Sequence, residues 1–227
     1  MSRILLRRAG PALAALLCTV SHAAACSVAL AFAVDVSGSV SPAAYAVQMR
    51  GLATALRAPA IASELARGEA ALTLTQWTGR RFQHVSVPWT PIASEADVAA
   101  FARAVEAAPR AWSGANTALG DALAFTGATF AEAPACDRRI IDVSGNGRAN
   151  EGTAPRSLRA GFDAAGLTVN AIVLDEGGEL GLARYFADEV VAGPGAFVVQ
   201  VAAPEEYPEQ MRRKLLRELA VQMVHAE

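Results

Sequence analysis

A three-layer α/β domain, with helices on both faces of a mostly parallel central sheet, is the fold class this sequence predicts. Strand-length apolar runs and helix-period segments alternate from residue 28 to residue 224, the pattern of consecutive βα units. Residues 28–34 form an almost unbroken apolar run, as expected of a central strand covered on both faces. Two strand-like segments, 70–77 and 82–87, are separated only by Thr78-Gly79-Arg80-Arg81. So short a turn joins antiparallel neighbours and puts one antiparallel strand at a sheet edge.

The elements follow in order. After the strand over 28–34, Ser41 caps a helix running from Pro42 to about Arg57. A serine side chain satisfies one of the first free N–H groups, and proline suits the first helical position. In the first hairpin strand Leu72, Leu74 and Gln76 alternate with Thr73, Thr75 and Trp77. Ser94 caps a helix through Ala108, with Glu95 and Asp97 at its positive end. The loop Trp112-Ser113-Gly114-Ala115-Asn116 precedes a helix from Thr117 to about Phe130. Residues 139–143 read as a strand, 144–150 as a polar, glycine-rich loop, 155–165 as a helix, 167–174 as a strand and 181–189 as a short helix. Residues 197–201 are the last strand. A terminal helix over 204–224 carries Leu215, Leu216, Leu219 and Met223 on one face. No repeat, low-complexity tract or linker divides the chain, and 227 residues suffice for one domain with a substantial core.

The first 25 residues read differently. Arg3, Arg7 and Arg8 make a basic start, residues 11–20 are apolar, and Ala23-Ala24-Ala25 supplies small residues for cleavage. This is the pattern of a secretory signal peptide cut within 23–26, leaving a domain over 26–227 in a compartment outside the cytoplasm, expected to be the bacterial periplasm. Beyond it no segment has the length and apolarity of a bilayer span. The formal charge of −2 gives no support for a nucleic acid or an anionic membrane as partner. Cys18 leaves with the signal; Cys26 and Cys136 remain, each just before a predicted strand. In an oxidising compartment such a pair is expected as a disulfide if those strands are neighbours. Two free thiols, or a lipid-bearing Cys26, are the alternatives.

The chemistry concentrates where the first strand ends, at Asp35-Val36-Ser37-Gly38-Ser39. One carboxylate and two hydroxyls spaced two residues apart are hard oxygen ligands of the kind Mg²⁺ prefers, the remaining positions falling to water or to a partner's oxygen. Alternate side chains of a loop can converge on one point, and Gly38 lets the backbone turn closely there. In open α/β sheets ligands bind at the carboxyl ends of the strands, which is where these residues fall. Taken alone, Asp-x-Ser-x-Ser is also an ordinary helix start.

The segment Phe32-Ala33-Val34-Asp35-Val36-Ser37-Gly38-Ser39-Val40 resembles the first motif of von Willebrand factor type A (vWA) domains, which carry a metal-ion-dependent adhesion site (MIDAS). Ser113-Gly114-Ala115-Asn116-Thr117 looks like the second motif, and Ile140-Ile141-Asp142-Val143-Ser144-Gly145-Asn146-Gly147 takes the place of the third. The resemblance covers the mature chain and is nearest to the bacterial secreted DUF1194 proteins, which share Ile141-Asp142-Val143-Ser144-Gly145. It implies a Rossmann-like vWA fold and a metal held by Asp35, Ser37, Ser39, Thr117 and Asn146. The metal implied is Mg²⁺, with Mn²⁺ or Ca²⁺ as variants. It also implies a protein partner whose Asp or Glu carboxylate completes the site. Asn146 departs from the family pattern, which has an acid there; Asp142 is the alternative acid, or a structural carboxylate. Asp121, one helical turn after Thr117, fits a bond to a metal-bound water or a structural role.

Other readings use the same edge. A hydrolytic enzyme is one, but Ser37 stands where a dehalogenase-like phosphatase needs a second aspartate, and there is no Gly-x-Ser-x-Gly elbow. No phosphate-binding Gly-x-x-x-x-Gly-Lys loop occurs, and His84 and His225 have no zinc-like spacing. A metal-free interaction domain is the other, kept open by Asn146. Trp112 fits a half-buried loop anchor or the lining of a binding surface, and Asp175-Glu176-Gly177-Gly178 a loop rimming the same face.

Overall fold

The computed structural model describes residues 26–175 and 181–220. Six strands form one sheet: β1 (Cys26–Asp35), β2 (Ala71–Trp77), β3 (Gln83–Pro91), β4 (Cys136–Gly145), β5 (Leu167–Leu174) and β6 (Val198–Val201). Their order is β3-β2-β1-β4-β5-β6, and all pairs are parallel except β2 with β3. The chain winds outward from β1 to β3, returns to β4 beside β1, and winds outward again. The topological switch therefore lies between the carboxyl ends of β1 and β4, where such sheets bind ligands. Pro88 and Pro91 sit on β3, an edge strand, where a missing N–H costs no ladder bond.

Helices cover both faces. On one lie α1 (Pro42–Leu56), α2 (Pro59–Arg67), α3 (Glu95–Ala107) and α7 (Tyr207–Ala220). They bury Leu52, Ile61, Phe101 and Leu215 against Leu30, Phe32, Leu72 and Leu74. On the other lie α4 (Leu119–Ala128), α5 (Arg159–Ala164) and α6 (Leu182–Tyr185). Leu119, Leu123 and Leu182 there meet Ala33, Ile141, Val143 and Val169. β1 is buried from Val28 to its end, which is why its sequence does not alternate.

The caps behave as read. Ser41 accepts from the N–H of Ala44 at 3.0 Å with Pro42 at the first position. Ser94 accepts from the N–H of Asp97, and the Asp97 carboxylate takes the Ser94 hydroxyl at 2.8 Å, a reciprocal cap.

Several boundaries moved. α2 falls in the stretch between Arg57 and residue 70, to which the sequence reading assigns no element; Pro59 starts it and Ile61, Ala62 and Leu65 are its buried face. The helix expected from Thr117 begins at Leu119 and ends in a 3-10 turn over Thr129–Ala131. β4 is longer at both ends, since Ser144 and Gly145 still pair with Ile172 and Val173 of β5. The helix expected over 155–165 splits into a 3-10 turn, Pro155–Leu158, and α5. α6 passes into a π turn over Phe186–Val190. On α7, Leu216 is only half-buried and Met223 lies outside the described residues, as do the expected signal segment and residues 176–178.

Cys26 pairs in register with Cys136, and the two form a disulfide with Cα atoms 4.4 Å apart, closing a separation of 110 residues. It ties β1 to β4 at the amino end of the sheet, opposite the Asp35 loop. In the chain-entropy account a loop this long is worth roughly 4–5 kcal/mol. Among the described residues no helix is long and apolar enough to cross a membrane.

Candidate metal centre

Asp35 is the last residue of β1 and is wholly buried. Its Oδ1 accepts the N–H of Ser37 at 2.7 Å, which folds the loop back over the strand end. Its Oδ2 is buried and has no hydrogen-bond partner. Burial pushes the carboxyl up to about 6; bonds from Ser37 and the backbone of Asn146, and the charge of Arg110, pull the other way. Ser37 is buried, and its hydroxyl lies 3.1 Å from that of Ser39. Ser39 is exposed and donates to Asn146 Oδ1 at 2.7 Å. The oxygens of Ser37, Ser39 and Asn146 thus form one cluster spanning the switch between β1 and β4.

Thr117 reaches the same edge by another route. The carbonyl of Ala115 accepts the N–H of Gly38 at 3.0 Å, so the loop before α4 lies directly on the Asp35 loop. A Cβ on Gly38 would come within 3.2 Å of that carbonyl, a tight contact that the Ala115 backbone would have to relieve by shifting. Thr117 itself exchanges two bonds with Asn150: its N–H donates to Asn150 Oδ1 at 2.8 Å, and its carbonyl accepts the N–H of Asn150 at 3.0 Å. Asn150 therefore fixes the loop after β4 against the loop before α4.

Asp121 and Asp142 lie elsewhere. The Asp121 carboxylate accepts both the N–H and the hydroxyl of Thr153, at 3.0 and 3.1 Å, and so anchors the segment leading to α5. Asp142 lies inside β4, buried, with Lys214 of α7 at 2.7 Å from its Oδ2. Lys214 also meets Glu218 at 2.6 Å. Burial pushes the Asp142 carboxyl up, to about 7, while Lys214 pulls it down and Glu218 adds to the rise. Asp175 Oδ2 accepts from Gln200 at 2.9 Å.

Three residues that sequence reading missed support the site. Arg110 donates to the carbonyls of Val36 and Ser37 at 2.9 and 3.0 Å, pinning the Asp35 loop from beneath. Ser144 accepts the N–H of Asp35 at 3.4 Å and donates to Gln48 of α1 at 2.8 Å. Arg110 and Gln48 carry no local signal, being 74 and 96 residues from the groups they hold or reach. Ser144 and Asn150 stood inside a loop already marked as polar.

The donor set fits a small hard cation. One carboxylate oxygen is buried without a partner, and hydroxyl and amide oxygens gather beside it. Oxygen ligands of this kind suit Mg²⁺, Mn²⁺ or Ca²⁺ better than softer metals.

An open α/β sheet of this order with one antiparallel edge strand is the vWA-type fold, and solved structures share it. The chain is similar to proximal thread matrix protein 1 of the mussel byssus, with a TM-score of 0.65 and 18 % identity over 87 % of this chain and 49 % of that one. It is similar to a von Willebrand factor type A protein from Catenulispora acidiphila, at 0.60 and 18 % over 85 % and 43 %. It is similar to the SpRpn10 VWA domain, at 0.57 and 14 % over 82 % and 94 %. The chain spans about half the length of the first two. A further structure of the mussel protein has a zinc-occupied MIDAS motif. Residues 25–223 match the family described as protein of unknown function (DUF1194), and the chain belongs to that family. Comparison with curated protein sequences finds no match.

Proposed function

We propose that this protein is a non-catalytic binding module of the cell exterior, the bacterial periplasm, which holds a divalent cation at the β1–β4 switch and binds a protein partner through it. Asp35, Ser37, Ser39, Thr117 and Asn146 would hold the metal, Mg²⁺ in the first instance. The metal supplies a positive centre for an Asp or Glu carboxylate of the partner. The observation that carries this reading is the Asp35 carboxylate oxygen, buried without a partner beside three neutral oxygen donors. A single carboxylate leaves a bound dication with net positive charge, which favours an incoming anion. The Cys26–Cys136 disulfide and the signal-like first 25 residues support an oxidising compartment. Against catalysis, the Ser37 hydroxyl is bonded to Ser39, and His84 packs on Trp112 rather than on either serine.

The test is thermal unfolding with and without Mg²⁺, for wild type and Asp35→Ala. At a hundredfold excess over Kd, binding stabilises by about 2.7 kcal/mol, or roughly 5–10 °C for a domain of this size. The variant should show no shift. A wild-type curve indifferent to Mg²⁺, Mn²⁺ and Ca²⁺ would leave a metal-free interaction domain as the reading.

A further inference from the structure

Beside the metal edge stands a wall that the metal reading leaves unused. Phe82, in the turn between β2 and β3, is 45 % exposed, the one large apolar side chain so open among the described residues. Its ring meets Trp112 edge-on at 5.8 Å, and His84 meets the same indole at 6.3 Å. The three tryptophans divide by role. Trp77 is buried and donates its indole N–H to the carbonyl of Ala33, and Trp89 donates to that of Thr129. Trp112 is half-exposed, and among the described residues its indole donates to nothing.

The wall is fixed to the metal loops by backbone bonds. Trp112 opens the segment whose Ala115 carbonyl holds Gly38, between Ser37 and Ser39. Thr78 exchanges N–H and carbonyl bonds with Phe82 and Ala118, and its hydroxyl donates to Asn116 at 3.0 Å. The turn, the loop before α4 and the Asp35 loop are therefore tied to one another. Arg80 and Arg81 are exposed in the same turn, and Arg81 pairs with no carboxylate among the described residues. Glu151 lies against the same turn, accepting the N–H of Arg80 at 2.6 Å and the side-chain amide of Asn116 at 2.9 Å. Aromatic rings and arginine are enriched in protein interfaces, and Arg81, the arginine of this rim that Glu151 does not face, suits an acidic partner.

We propose that Phe82 and Trp112 form an exposed aromatic face on which an aromatic side chain packs, lying close in sequence to the carboxylate that the metal binds. The partner is thus a protein segment pairing an acid with an aromatic residue, an inference that rests on the metal reading above. The test uses capped heptapeptides in Mg²⁺. One has a central glutamate among glycines; others add one phenylalanine one, two or three residues to either side; a third group replaces glutamate by glutamine. Binding is followed by tryptophan fluorescence and calorimetry. The best phenylalanine peptide should bind about tenfold tighter than the all-glycine one, and Phe82→Ala and Trp112→Ala should each remove most of that advantage without changing Mg²⁺ affinity. Glutamine peptides should not bind. If glutamate peptides bind with no aromatic advantage, or the advantage survives Phe82→Ala, the aromatic face is wrong while the metal reading stands. If no glutamate peptide binds in a metal-dependent way, both fall. Self-association abolished by Phe82→Ala would assign the wall to a second copy of this chain and overturn the proposal.

Discussion

Asp35 and Asp142 are both buried carboxylates, on neighbouring strands of one sheet, and burial raises both, to about 6 and about 7. They differ in what faces them. Asp142 has Lys214 at 2.7 Å, a cation delivered by α7 of the same chain. Asp35 has an N–H, two hydroxyls and an amide oxygen nearby, while Arg110, whose Nη2 donates to the carbonyls of Val36 and Ser37, acts on it as a nearby charge and not through an ion pair. A buried charge without a counter-charge is costly. One carboxylate is answered from within the fold; on the proposed reading the other is answered by a metal from outside.

The comparison breaks most visibly at Lys214. Replacing it with methionine leaves buried Asp142 without its cation and Glu218 with only Arg138 nearby, and removing one partner of a buried ion cluster costs about 3–5 kcal/mol. Chemical denaturation of Lys214→Met should show a loss of that order, with Mg²⁺ affinity of the surviving folded protein little changed. A loss below about 1 kcal/mol would mean that the cluster is not the charge balance described.

Next in size is the pH dependence of the same cluster. A free aspartate titrates near 3.9, whereas Asp142 in the fold is held up to about 7. Between these values the native state keeps a proton that the unfolded chain releases. Stability is therefore fullest below about pH 4 as far as this group is concerned, and falls as pH rises towards 7. Asp142→Asn should flatten that fall, with a smaller cost at neutral pH than Lys214→Met, because Lys214 retains Glu218. Both proteins should be measured in saturating Mg²⁺, so that Asp35 contributes equally. An unchanged slope in the variant would show that another group carries the proton.

How much of this was legible follows from where the partners lie in the chain. Asp35, Ser37 and Ser39 fall within five consecutive residues, and their spacing alone marks them. Ser144 and Asn150 fall in a segment whose glycines and polar residues announce a loop. The alternation of elements carried the sheet, including its antiparallel edge. Lys214 and Glu218 instead look like the solvated side of an amphipathic helix, and only the packing of α7 on β4 and β5, through Asp142 and Asn170, buries them. Arg110 gives no sign that it reaches back to Val36. Asp121 could be placed near the site but not assigned, because Thr153, the group it holds, lies 32 residues away. α2 was missed because proline after Ala58 reads as a break, although it equally starts a helix.

The smallest expected effect bears most directly on Asp35. If its unpartnered oxygen is the main charge available to a cation, the neutral Asn146 at the opposite strand end limits how tightly the metal is held without a partner. Asn146 accepts the Ser39 hydroxyl at 2.7 Å, so its side-chain oxygen already stands in the cluster, and aspartate there changes charge with little change of shape. Charged acceptors bind about twice as strongly as neutral ones; Asn146→Asp should tighten Mg²⁺ binding about tenfold by calorimetry. The same substitution should weaken capture of acidic peptides at saturating Mg²⁺, because the bound metal keeps less net positive charge. Tighter metal with unchanged peptide binding would separate the two roles of the site. Unchanged metal affinity would place Asn146 outside it and leave Asp35 to the two serines and Thr117.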